Sequence, residues 1–215
     1  MKADKSDDAG MRIGLDFDNT LISYDRLFQG LVREQELLPE PVPANKTAIR
    51  DALRARGREA DWTRLQGLAY GPRIAQAEAF PGMVDCLRHW HSQGWELLLV
   101  SHKTRVPYAG EPHDLHAAAR GWIEARLDGL LSDVYFELSR EAKLARIAKL
   151  GLDAYIDDLP DILLDLAEAA NPVAPVPLRL ILFDPHGQYP DHYAYERWPR
   201  WPEPNKVNKV SGLPS

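Results

Sequence analysis

Two aspartates one residue apart, Asp16 and Asp18, follow the stretch Met11-Arg12-Ile13-Gly14-Leu15 and lead into Asn19 and Thr20. The Met11–Leu15 run is mostly apolar and is preceded by polar residues, so it reads as a buried strand. In an open parallel α/β sheet, ligands bind beyond the C-terminal ends of the strands. Residues two apart on a strand share a side, so Asp16 and Asp18 can converge on one ligand. Carboxylates that close repel unless a cation or a proton lies between them, and the pair points to metal binding, acid–base chemistry or both. Asp-Asn-Thr after a strand is also good turn and helix-cap chemistry without any catalysis. The rest of the chain has to decide between the two.

Three further stretches place polar groups at the same kind of position. Trp95–Val100 is a continuous apolar run, a strand buried on both faces, and delivers Ser101 and His102 at its end. Arg140–Leu150 reads as a helix capped by Ser139 and stopped by Gly151, with Lys143 in its first turn. A lysine there opposes the helix dipole, so it is either solvated or has an anionic partner. The short strand Ala154–Ile156 runs into Asp157, Asp158 and, four residues after the first, Asp161. Arg26, Lys103 and Arg105 could bind a leaving group but read as solvated surface cations. His186 sits in an Asp-Pro-His-Gly turn that Pro and Gly explain, and His89 and His91 flank Trp90 on a helix and should face solvent.

The elements that would carry these groups follow from periodicity. The first strand is followed by helical spacing over Ser23–Leu38, Lys46–Arg58 and Asp61–Leu68, with no good strand until after Phe80. That stretch exceeds a simple crossover and predicts a helical insertion over 21–80. Helices at Met83–Ser92, Asp114–Leu127 and Ile162–Ala170 alternate with strands at Asp133–Glu137 and Leu178–Phe183. The pattern predicts an α/β, doubly wound parallel sheet made of 11–20 and 81–188. Residues 1–10 read as a disordered arm, and 189–215 as a Pro/Trp-rich tail that wraps the domain and becomes disordered near Asn205.

Composition sets outer limits. At 215 residues, 45% hydrophobic and 27% charged, the chain can bury a substantial core. Its net charge of −6, without a basic run, disfavours nucleic acid as a partner. Cys86 is the only cysteine, lies on an apolar-periodic helix and reads as a core thiol, and no zinc spacing is present. The first ten residues lack a signal-peptide pattern and no run is apolar enough to span a membrane, so a cytoplasmic protein without membrane attachment is expected.

Taken in order, Asp16-Phe17-Asp18-Asn19-Thr20, Leu99-Val100-Ser101-His102, Lys143 and Tyr155-Ile156-Asp157-Asp158-Leu159-Pro160-Asp161 resemble the haloacid dehalogenase-like (HAD) hydrolase superfamily, in its aspartate-nucleophile phosphatase form. The likeness spans roughly residues 11–185 and implies a Rossmann-like core with a small helical cap. It also implies a Mg²⁺-dependent phosphatase acting on a small phosphorylated metabolite. Asp16 would form an aspartyl-phosphate, and the Asp18 side chain would shuttle the leaving-group proton. Ser101, His102, Thr20 and Lys143 would contact phosphate. Asp16, Asp157 and the Asp18 carbonyl would bind Mg²⁺, with Asp158 and Asp161 behind them. Dehalogenases of the superfamily lack an acid at the position of Asp18, which argues for phosphate esters. A phosphomutase using the same intermediate, a catalytically silent binding protein and an Asp-x-Asp glycosyltransferase are the alternatives. The last leaves Ser101, Lys143 and Asp157 unexplained. Substrate identity and oligomeric state stay open.

Overall fold

In a computed structural model, described for residues 10–169 and 177–203, the core is a six-stranded, wholly parallel sheet. Its strands are β1 (Arg12–Leu15), β4 (Glu96–His102), β5 (Asp133–Glu137), β6 (Ala154–Asp157), β7 (Arg179–Phe183) and β8 (Glu196–Trp198), in the order β5-β4-β1-β6-β7-β8. The first strand is therefore central, with β4 and β6 on either side. Their C-terminal ends bring Asp16, Ser101 and Asp157 to one edge.

Strand alternation divides the core between the two faces. Leu97, Leu99, Ile156, Ile181 and Phe183 pack with α4 (Met83–Ser92) and α5 (Leu115–Leu127) on one side. Val100, Tyr155, Leu180 and Leu182 pack with α6 (Arg140–Leu150) and α7 (Pro160–Ala169) on the other. Gly14 in β1 lets the second layer close: a Cβ there would lie 2.4 Å from Leu152 Cδ1 and 2.6 Å from Tyr155 Cδ2. Cys86 is fully buried, and burial pushes its thiol up to about 12, as a core residue requires. Among the described residues, no helix is long and apolar enough to cross a membrane.

The helix ends obey local chemistry. Ser139 Oγ accepts from the Ala142 amide at 3.2 Å to open α6, and Gly151, at φ 60°, ends it. The insertion contains α1 (Asp25–Glu34), α2 (Lys46–Arg54) and α3 (Glu59–Tyr70). The middle helix stops four residues before the predicted Arg58, and the third extends two residues beyond the predicted span at each end. Phe28, Ile49, Leu53, Trp62 and Leu65 from these helices belong to the same buried cluster as Leu15 and Phe17. The insertion is thus packed onto the sheet rather than tethered above it.

Three short strands depart from the sequence reading. The stretch expected to hold no strand contains β2 (Ile22–Ser23) and β3 (Glu78–Ala79), which pair antiparallel at the two ends of the insertion. Two residues are too few for an alternating pattern to register. The tail, read as an irregular wrap, supplies β8, which extends the sheet beside β7. Its Trp198 lies near Trp90 and Trp201, with Trp90 6.5 and 6.0 Å from them, so aromatic packing with distant residues holds a strand whose other two residues are charged. Residues 1–9 of the arm predicted over 1–10, residue 170 and the tail beyond 203 lie outside the described residues.

Candidate active site

Asp16 is the buried centre of the sheet edge, 4% exposed. Its Oδ1 accepts from Lys143 Nζ at 2.7 Å and from Ser101 Oγ at 2.9 Å, and its Oδ2 lies 3.5 Å from Thr20 Oγ1. Lys143 enters from the first turn of α6 and donates its second bond to Asp157 Oδ2 at 2.6 Å. Burial alone would lower the Lys143 pKa; Asp157 and Asp16 outweigh it and hold the ammonium well above its usual value. The anionic partner that its unfavourable helix position calls for is therefore present. Asp16 is pushed up to about 6, first by burial, with Lys143 pulling against it and Asp157 adding to it.

Asp18 is held differently. Both its oxygens accept from Lys103 Nζ, at 3.0 and 2.7 Å, and Oδ1 also accepts from Tyr24 at 2.6 Å. Burial raises this carboxyl, but Lys103 and Tyr24 overcome that and keep it below the ordinary value. It is a carboxylate bearing two donors. Lys103 itself is 4% exposed and lies over the rings of Phe17 and Tyr70 at 5.4 and 5.1 Å. The expectation that it is a surface cation is wrong. The alternation of β4 carried the signal: Lys103 is two residues after Ser101 and shares its side. His102, between them, is exposed and falls on the other side of the strand.

The fourth stretch is also rearranged. Carboxylate oxygens of Asp16, Asp157 and Asp158 lie within 4.8 Å of one another. Asp158, expected behind the cluster, is part of it. Burial, then Asp157 and Asp16, raise its carboxyl well above the usual range. Asp157, expected to be the chief ligand, has one oxygen on Lys143 and the other accepting from the Leu159 amide at 2.9 Å. Asp161 is exposed in the first turn of α7, where an acid suits the helix N-terminus, and it is not in the cluster.

Two neighbours were assigned no role by sequence. Asn19 adopts φ 64°, a left-handed turn that Asn tolerates better than most residues. Its side chain donates to Asp158 Oδ2 at 3.2 Å and accepts from Lys46 Nζ at 3.1 Å. Lys46 is the first residue of α2, a cation at a helix N-terminus like Lys143. The same dipole argument could have found it. His186 is 3.0 Å from Asp25, a structural contact. Arg26 and Arg105 pair with Glu78 and Asp114 at the surface, as expected.

Four carboxylates (Asp16, Asp18, Asp157, Asp158) thus face three ammonium groups (Lys46, Lys103, Lys143), a deficit of one positive charge. All the free donor atoms are carboxylate oxygens, which suit a hard cation of the Mg²⁺, Ca²⁺ or Mn²⁺ kind. Oxygens of Asp16, Asp157 and Asp158 lie close enough together to share one such ion, so the residues fit a divalent ion.

No protein-family model matches the chain, and no curated protein matches it. Among solved structures it is similar to a HAD-superfamily hydrolase of subfamily IA, variant 1, from Geobacter sulfurreducens PCA, at 14% identity over 97% of this chain and 100% of that one, with TM-score 0.55. A dehalogenase aligns at 14% identity over 88% and 92%, TM-score 0.53. A HAD-superfamily hydrolase from Ehrlichia chaffeensis aligns at 15% over 94% and 96%, TM-score 0.50. The fold is that of the HAD-superfamily hydrolases, and the acids and lysines above occupy the C-terminal edge of its sheet.

Proposed function

We propose that the chain is a Mg²⁺-dependent phosphatase that hydrolyses a small-molecule phosphomonoester through an aspartyl-phosphate on Asp16. The observation that carries the reading is Asp16 itself: a buried carboxylate with one oxygen fixed by Lys143 and Ser101, inside a cluster lacking one positive charge. A divalent ion held by Asp16 and Asp158, with Asp157 in reach, would neutralise phosphoryl oxygen charge when bound. It would turn the deficit into a surplus of one, the sign a phosphate dianion requires.

In this mechanism Asp16 attacks phosphorus, the ester P–O bond breaks, and the leaving oxygen takes a proton. Water then attacks the phosphorus of the acyl phosphate, the bond to Asp16 breaks, and the carboxylate is restored. Asp18, two residues on, carries the proton from that water and gives it to the next leaving oxygen. Lys103 and Tyr24 orient it and, by holding it ionised, ready it to take the proton from the water. Lys143 offsets charge at the nucleophile, and Thr20 steadies the loop. The insertion, residues 21–80, acts as the cap over the substrate: its Tyr24 bonds Asp18, its Lys46 bonds Asn19, and its Tyr70 ring lies against Lys103.

The test is phosphate release from p-nitrophenyl phosphate with Mg²⁺, comparing wild type, chelated wild type and Asp16→Asn. A loss of at least 10³-fold in the variant is expected, because the covalent route is removed. Undiminished release in Asp16→Asn would sink the mechanism.

A further inference from the structure

A cavity of about 150 Å³ opens beside the acid cluster, bordered by Asn19 and Asp158. One wall is α2, which presents Lys46, Thr47 and Arg50. Lys46 and Arg50 are one helical turn apart and so share a face. The facing wall comes from the end of β7 and the loop after it, including Phe183 and Tyr189, with Trp62 of α3 also at the lining. The cavity is apolar in its aromatic lining and cationic along one side.

The acids around it are mostly spoken for by the chain. Asp25 accepts from the Lys46 amide at 2.8 Å, and Asp184 from the amides of Gln188 and Tyr189 at 2.9 and 3.1 Å. Asp158 belongs to the cluster that fits a divalent ion. Among the described residues, Arg50 shares only its Nε, with Asp51 at 2.9 Å in a solvent-exposed pair. Such a pair contributes little and exchanges readily for a better partner, and the guanidinium fork suits a carboxylate or a phosphate.

We propose that this cavity receives the organic half of the phosphoester, and that Arg50, with Lys46, selects substrates bearing a second negative group on a small leaving group. The proposal rests on the phosphatase reading and narrows it. An apolar cavity of roughly this volume takes a benzene molecule, so the part of the leaving group that it encloses has about six or seven non-hydrogen atoms. A phosphorylated three-carbon hydroxy acid has that size and charge.

The experiment compares two probes of nearly equal size, 3-phosphoglycerate and glycerol 3-phosphate, which differ by the negative charge. Wild type should favour 3-phosphoglycerate at least tenfold in kcat/KM. Arg50→Gln should reduce that preference at least fivefold, mainly through KM. The Arg50 side chain is 37% exposed, so the fold tolerates the change, and an unchanged melting temperature verifies it. Equal kcat/KM for the two probes in wild type, or an undiminished preference in Arg50→Gln, would overturn the assignment. If neither probe is hydrolysed, the p-nitrophenyl phosphate assay decides the phosphatase reading separately, and calorimetry in Mg²⁺ still decides the cavity. Tighter binding of 3-phosphoglycerate that weakens tenfold in Arg50→Gln supports the anion site; equal binding of both probes, or none, refutes it.

Discussion

At the scale of single residues, the site is a set of carboxylates each made tolerable by a different partner. Lys103 is the clearest case, since it is the cation hydrogen-bonded to Asp18, whose side chain is 22% exposed. Removing one partner of a largely buried pair leaves the other uncompensated. Lys103→Met should therefore cost about 2–3 kcal/mol in denaturant unfolding and lower kcat/KM at least tenfold. Arg26→Met, which breaks a pair with side chains 80% and 53% exposed, should stay within about 0.5 kcal/mol of wild type. Asn19 separates conformation from contact. Asn19→Gly accepts φ 64° and should remain within about 1 kcal/mol of wild type, yet it loses both the Asp158 and the Lys46 bonds and with them much of the activity. Asn19→Ala adds backbone strain of about 1 kcal/mol, visible as a lower unfolding midpoint than that of the glycine variant.

At the scale of elements, strand ends and helix starts deliver chemistry while remote segments hold them in place. The segment around β8 is the least obvious of these. Trp201 is 3% exposed, packs against Phe183 at 5.7 Å between ring centres, and donates from Nε1 to the Thr20 carbonyl at 3.1 Å. It ties the end of the described chain to the loop that bears Asp16 and Asp18. Trp201→Phe keeps most of the packing and loses the hydrogen bond, about 1 kcal/mol. Trp201→Ala opens a cavity and should cost about 3–5 kcal/mol. Denaturant melts of the two variants measure this, and kcat should fall more than stability predicts in Trp201→Phe because the loop is less firmly placed.

At the scale of the whole molecule, one sheet edge concentrates more negative than positive charge, and a bound divalent ion should stabilise the fold by mass action. Mg²⁺ at 100 times its Kd should add about 2.7 kcal/mol, read as a rise in melting temperature. Asp158→Asn should abolish most of that rise, while the melting temperature of the metal-free variant should equal or exceed that of wild type, because one repelling charge is gone. A Mg²⁺ shift of undiminished size in Asp158→Asn would remove Asp158 from the cation site.

What the sequence determined by itself was local. Alternating and helical periodicity placed the strands ending at Asp16, Ser101 and Asp157, and the cap and stop at Ser139 and Gly151. The misfit of a lysine at a helix start pointed to Lys143. Each of these depends on neighbours within a few residues, so residue type and spacing suffice. What only the tertiary structure decided were pairings between distant segments: Lys103 with Asp18 across 85 residues, Trp201 with Thr20 across 181, and Asn19 with Asp158 across 139. The same holds for Asp158 over Asp161 in the acid cluster, and for β8 as an edge strand. Whether a lysine is solvated or buried depends on what the fold brings opposite it, and no periodicity encodes that. The chain order wrote the edge of the sheet; close packing around it chose which charges meet.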